Sequence, residues 1–189
     1  FKKINLESNL MIRAPFGFGE YQLRNVYPLG QLEGSGGKLL IRALEAEMGI
    51  KIDGYMVGRD SNLSSWDKLK WLGKQSLGKL KTKTIDLESE AGITEDELKD
   101  GTTVLRVSEV LLDETVNREF FSQAIVDENL VVAVLNSTKV NNVGGSVARI
   151  VKNLGAEVSM IANQDQREKS LLLVASQEIE ESFLVRELK

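Results

Sequence analysis

The chain has 189 residues, 42% of them hydrophobic and 28% charged, with a formal net charge of -4 and no histidine or cysteine. Those two absences exclude Ser-His and Cys-His nucleophiles, thiolate chemistry and the usual zinc ligands. Carboxylates, Lys, Arg, Tyr, Ser and backbone amides are left to carry any chemistry.

An acidic balance without a sustained basic stripe argues against a nucleic-acid partner. The densest basic segment, Lys79 to Lys83, reads as a solvated edge. No uninterrupted apolar run approaches the roughly 20 residues that span a bilayer. With no signal-peptide pattern and Phe1 in first place, the chain is expected to be the ordered part of a longer protein.

In chain order, Leu10 to Arg13 and Tyr21 to Leu23 have strand character around the turn Gly17-Phe18-Gly19, which also holds Phe16. Gly34-Ser35-Gly36-Gly37 introduces a strong helix. Its apolar stripe is Leu39, Leu40, Ala43, Leu44 and Met48, and Gly49 is placed for a left-handed cap. Ile50 to Val57 then alternates as a strand. Beyond Arg59 the pattern weakens: Ser64 or Ser65 predicts a short helix through Trp66, Leu69 and Leu72, closed by Gly73. Lys79 to Leu87 alternates like an exposed strand. Thr94 with Glu97 has the capping-box spacing of a short helix ending near Gly101. Thr102 to Val107 predicts a strand and Asp113 to Phe121 a helix.

The polar stretch Gln123 to Asn129 joins two units, with the boundary near Glu128. Leu130 to Asn163 then switches from period 2 to period 3.6 and back, the mark of a strand, a crossover helix and a strand. Leu171 to Val174 predicts a further strand and Gln177 to Leu188 a final helix. The expected fold class is therefore α/β, in units 1–128 and 129–189, the second built on a strand-helix-strand core.

Several groups are candidates for a site. The loop with Asn136, Ser137, Thr138, Gly144 and Gly145 lies between strand and helix, where backbone amides and the helix N-terminus suit an anion. It lacks the spacing of a dinucleotide or nucleotide loop, and a plain strand-to-helix turn is the preferred reading. Gly34 to Gly37, followed by Lys38 and Arg42, offers the same choice between an anion seat and a helix start. Arg13, Arg24, Arg42 and Arg59 all fall in the first unit, and the arginine fork suits pyrophosphate; surface placement is the default. Glu45/Glu47 and Glu95/Asp96/Glu97 read as solvated helix faces. Asp53 and Asp60 flank a strand with nothing to pair them, so no metal site is assigned. Asn136-Ser137-Thr138 and Asn62-Leu63-Ser64 match the N-glycosylation sequon.

Two segments resemble the LytR-CpsA-Psr family of bacterial envelope proteins. VAVLNST followed by VGGSVARIVKNLGAEV, within Leu130 to Asn163, is similar to the C-terminal domain often attached to those proteins, with Ser137 where the family has glycine. Leu39 to Val57 (LLIRALEAEMGIKIDGYMV) is similar to the helix-strand segment of the family's catalytic domain. Arg24-Asn25-Val26-Tyr27 with Gly30 resembles its "K-I-N-x-A-Y-x-x-G-G" motif. The family transfers glycopolymers from a polyprenyl pyrophosphate carrier to peptidoglycan, using arginines and carboxylates with a divalent metal.

Against that pattern, the family's "I-P-R-D" stands here as Ile4-Asn5-Leu6-Glu7, which puts Leu6 in place of the pyrophosphate-binding arginine. The metal-binding aspartate of the family's first strand would precede Phe1. Its "R-x-R" and "D-x-x-R-x-x-R-Q" segments have no counterpart. Losing charge-assisted contacts of this kind costs several kcal/mol of transition-state stabilisation.

The resemblance therefore implies a non-catalytic, extracytoplasmic cell-envelope protein that recognises a glycopolymer, a polyprenyl-phosphate lipid or an envelope protein. It would need no cofactor and would be anchored, if at all, by a segment preceding Phe1. Its ligand-binding candidates are Arg13, Arg24, Asn25, Arg42 and Arg59. One alternative is a working magnesium-dependent phosphotransferase using those arginines; another is a purely structural interaction module.

Overall fold

The computed structural model describes residues 2–52, 54–57, 59–69, 83–86 and 92–189. Helices and strands are mixed throughout, so the protein is a small α/β fold. By the grouping of backbone contacts it divides into Phe1–Thr115 and Val116–Lys189.

In the first unit β1 (Lys2–Asn5) is followed by a hairpin of β2 (Met11–Ala14) and β3 (Gly19–Gln22), with Met11 opposite Gln22 and Ala14 opposite Gly19. The hairpin occupies the region of the runs expected at Leu10–Arg13 and Tyr21–Leu23, shifted by one or two residues, with Leu23 opening the next helix instead of closing a strand. Phe16 at its tip has φ 63° and is 60% exposed, whereas Phe18 folds back onto the core.

Helices α1 (Leu23–Gln31, with Pro28 inside it) and α2 (Gly36–Met48) come next. The apolar stripe behaves as its spacing requires: Leu39 and Ala43 of α2 are buried with Val26 of α1 and Leu10 and Ile12 of the hairpin. A Cβ on Gly30 would lie 2.8 Å from the Gly36 Cα, so the two helices meet backbone to backbone at this pair. Gly49 adopts the left-handed conformation, φ 62°, and its N–H reaches the Glu45 carbonyl, closing α2 as expected.

The expected strand over Ile50–Val57 shortens to β4 (Met56–Val57), paired with β5 (Asp60–Ser61). The reason is local: the Ile52 N–H donates to the Glu45 carboxylate and the Tyr55 N–H to the Asn62 side chain, so neither is offered to a ladder. Glu45 is correspondingly 8% exposed and also ion-paired with Arg42 at 3.0 Å. That corrects its reading as a solvated residue. Residues 65–69 are helical, with the Ser64 hydroxyl accepting the Asp67 N–H, while the expected continuation to Leu72 and Gly73 lies outside the described residues.

Of the strand expected over Lys79–Leu87, β6 (Lys83–Asp86) is described, pairing in parallel with β1. It is not simply exposed: Ile85 is fully buried. The short helix expected from Thr94 is a strand instead, β7 (Ile93–Glu97), in a hairpin with β8 (Thr103–Val107). Asp100 and Gly101 form its turn, where the Asp100 carboxylate accepts the Thr102 N–H. Pairing with β8 satisfies five residues' worth of strand, which the capping side chains of one helical turn do not match.

Helix α3 (Glu109–Phe120) begins four residues before the expected Asp113, and the division between units falls within it. The polar stretch expected to link the units is itself α4 (Gln123–Glu128), whose Ile125 belongs to the second core.

In the second unit β9 (Val131–Asn136), α5 (Val143–Leu154) and β10 (Glu157–Asn163) form the expected strand-helix-strand, with β9 and β10 parallel. Val132 and Val158 face the core of Ile125, Val151, Ala156 and Leu184. Leu171–Val174 is not a strand; it joins no sheet, and Leu173 is 82% exposed. The single expected C-terminal helix is two, α6 (Gln177–Glu180) and α7 (Phe183–Leu188), because Ser176 and Ser182 each cap a new start.

Candidate functional site

The first unit holds a cleft of about 340 Å³ lined by Tyr27, Gln31, Gly34, Ser35, Gly36, Gly37, Lys38, Tyr55 and Asp60. Its back is built from three elements. Tyr27 comes from α1, Tyr55 from the chain entering β4, and Asp60 from β5. The Tyr27 hydroxyl donates to Asp60 Oδ2 at 2.6 Å and the Tyr55 hydroxyl donates to the same oxygen at 3.1 Å. The two rings are 6.5 Å apart, tilted by 55°.

Glycine is what admits this arrangement. A Cβ on Gly37 would stand 1.8 Å from Tyr55 Cζ, so the first turn of α2 lies directly under the ring. The hydrogen bond to Asp60, with partial burial, pushes the Tyr27 hydroxyl up to about 12. Burial and the same carboxylate raise Tyr55. The donated hydrogen bond from Tyr27, reinforced by Tyr55, holds Asp60 below the usual carboxylate range despite desolvation. Asp60 is thus a fixed anion that orients two aromatic rings. A carboxylate has roughly four lone-pair positions, so acceptor capacity remains for a ligand hydroxyl.

The divalent metal that the family resemblance implies needs several oxygen ligands in a compact shell. The cleft offers one carboxylate, already turned to two hydroxyls, and among the described residues no three acidic side chains are grouped for a metal.

The arginines chosen from sequence are placed elsewhere. Arg13, on β2, is 3.7 Å from Glu20, and its backbone N–H donates to Glu47. Arg42 is held by Glu45. Arg24, Asn25 and Arg59 are exposed. No hydrogen bond or ion pair joins any two of these five among the described residues. Arg106, not singled out from sequence, bridges Asp96 at 2.9 Å and Glu20 at 3.1 Å, tying two hairpins together. Of the two aspartates read as flanking a strand, Asp60 is in the cleft and Asp53 lies outside the described residues.

In the second unit the Asn136 carboxamide accepts the Thr138 N–H and hydroxyl and donates to the Val140 carbonyl, while the Thr138 hydroxyl accepts the Val140 N–H. Gly144 packs close to Ile161, and Gly145 to Asn142. The loop closes on itself, as an Asx turn does. Both sequon asparagines are occupied in this way, Asn136 with its own loop and Asn62 with the Tyr55 N–H.

No protein-family model, curated protein or solved structure matches the chain.

Proposed function

We propose that the chain is a non-catalytic recognition protein of LytR-CpsA-Psr type, acting in the cell envelope, whose first unit binds a glycopolymer. The observation that supports this reading is the Tyr27–Asp60–Tyr55 arrangement at the back of the cleft. Its volume is within the roughly 300–1,000 Å³ of small-ligand sites, which combine apolar walls with a few placed polar groups. Tyrosine supplies apolar ring area with a polar tip. Asp60 and Gln31 supply acceptors for hydroxyls, and Gln31 and Lys38 supply donors. That combination suits a sugar ring better than it suits transfer chemistry. Asp60, held as an anion by two hydroxyls, is a poor general base.

The test is calorimetric titration of the chain with a neutral oligosaccharide of N-acetylhexosamine and, separately, with polyprenyl pyrophosphate with and without magnesium. The expected result is oligosaccharide binding that weakens at least tenfold in Asp60→Asn and is unchanged in Arg24→Ala. Magnesium-dependent binding of the pyrophosphate, lost in Arg24→Ala, would overturn the reading in favour of a phosphotransferase. No binding of either ligand by the folded chain would leave a structural interaction module.

A further inference from the structure

At the back of the cleft the side chains have spent their donors. Tyr27 and Tyr55 each carry one hydroxyl proton, and both are given to the same oxygen, Asp60 Oδ2, at 2.6 and 3.1 Å. What the three side chains still present are lone pairs. Two sets belong to the phenolic oxygens, and a third to Asp60 Oδ1, which meets no side-chain donor among the described residues. Gln31 is hydrogen-bonded to the Tyr27 oxygen, which uses one of the two lone pairs there.

The same wall carries a charge that is not neutralised. Asp60 is half-buried, its side-chain partners are neutral hydroxyls, and it forms no ion pair among the described residues. Lys68 lends it only a distant positive field. Lys38 lines the same cleft but is exposed, so water and salt screen its charge. A partly desolvated carboxylate without a cation carries a standing cost, which a cationic ligand group relieves.

Ligand groups differ in how they meet such a wall. A hydroxyl brings one donor together with two lone pairs, and an acetamido group one donor with a carbonyl acceptor. A primary ammonium brings three donors and no acceptor. Its bond to a carboxylate is charge-assisted, roughly twice as strong as a neutral one, and tyrosine rings attract a cation as well.

We propose that the back of the cleft seats a protonated primary amine, so that the glycopolymer bound is one whose hexosamine units carry free amino groups in place of acetamido groups. This rests on the reading of the cleft as a glycan site and adds which sugar it selects. Asp60 Oδ1 takes one ammonium hydrogen and the phenolic oxygens accept the others.

Calorimetric titration of the full chain at about pH 6, where Asp60 is ionised and a sugar amine is protonated, compares a short glucosamine oligomer with its fully N-acetylated counterpart. The amine oligomer is expected to bind tighter by about tenfold or more. That preference should disappear in Asp60→Asn and shrink in Tyr55→Phe, with circular dichroism unchanged in both. Raising sodium chloride should weaken the amine oligomer far more than the acetylated one, a measurement on the natural sequence that stands whether or not a variant folds. Equal or tighter binding of the acetylated oligomer overturns the proposal and leaves the glycan reading intact, whereas no binding of either by the folded chain overturns both. A preference that persists in folded Asp60→Asn and Tyr55→Phe would trace to the net charge of -4 and also overturns it. Heat from calcium chloride alone, abolished in Asp60→Asn, would assign the acceptors to a metal ion instead.

Discussion

The Glu128 carboxylate accepts the backbone N–H of Leu184 at 3.1 Å, and its other oxygen accepts that of Phe183. The last residue of α4 therefore caps the first turn of α7, 56 positions along the chain. The first N–H groups of a helix have no partner within it, and an anion there also meets the positive end of the helix dipole.

Glu128→Ala should cost about 1–2 kcal/mol, the usual worth of an N-terminal cap, and Glu128→Gln less, because its oxygen still accepts. Urea unfolding measures the loss. Hydrogen exchange should accelerate first at Phe183 and Leu184, whose N–H groups Glu128 accepts; unchanged exchange there would show that the carboxylate does not protect them.

Glu45 makes a comparable tie in the first unit, where it satisfies the Ile52 N–H and Arg42. Glu45→Ala should destabilise by about 1–2 kcal/mol, toward the lower end of the cost of leaving a donor unpaired, because the Ile52 N–H is only partly buried. Arg42→Ala should cost less than about 1 kcal/mol, since the arginine is largely exposed and such pairs contribute little. The ordering of the two variants in denaturant midpoint checks this.

Gly37→Ala should close the cleft. A methyl group at that position cannot coexist with Tyr55 as it stands, so the ring must move and the hydrogen bond to Asp60 must break. Loss of oligosaccharide binding with the fold retained is the expected outcome, read by calorimetry beside circular dichroism. Gly34→Ala is not an equivalent control, because the φ of 67° at Gly34 strains any side chain there although a Cβ meets nothing within 4 Å.

The Tyr27–Asp60 pair should also appear in pH titrations. Asp60 is depressed in the folded state, so its contribution is present above the unfolded carboxylate value near 4 and is lost as pH falls through the lower folded value. Tyr27 is raised to about 12, so its contribution is present below the unfolded value of roughly 10 and is lost as pH rises from there through the folded value. Ultraviolet difference titration should show one tyrosine ionising near the upper value, and Asp60→Asn should bring it back toward 10.

Elements whose partner lies close in sequence were legible. The pattern Leu130 to Asn163 announces β9, α5 and β10 because each piece buries a face against its neighbour. The stripe Leu39 to Met48 with Gly49 announced α2 for the same reason. Thr94 to Gly101 was not legible, since its capping spacing is also that of a hairpin arm and the pairing with Thr103–Val107 decides between them. The cleft was half visible. Gly34 to Gly37 stood out as a helix start, and Tyr27 and Tyr55 lay inside the segments that carried the family resemblance. Nothing local marks two tyrosines 28 positions apart as sharing one aspartate. Charge drew attention to the arginines instead, although two of them, Arg13 and Arg42, have carboxylates of their own.

Proline at position 28 follows Tyr27 within α1. A proline inside a helix removes one backbone donor, crowds the carbonyl four residues earlier and disfavours helical geometry in the residue before it. Tyr27, the residue that holds Asp60, thus has a backbone that its own sequence resists. Replacing Pro28 with alanine should make α1 more stable while loosening the direction in which the Tyr27 ring is aimed. Pro28→Ala would then give up the aim of one ring in exchange for a firmer helix.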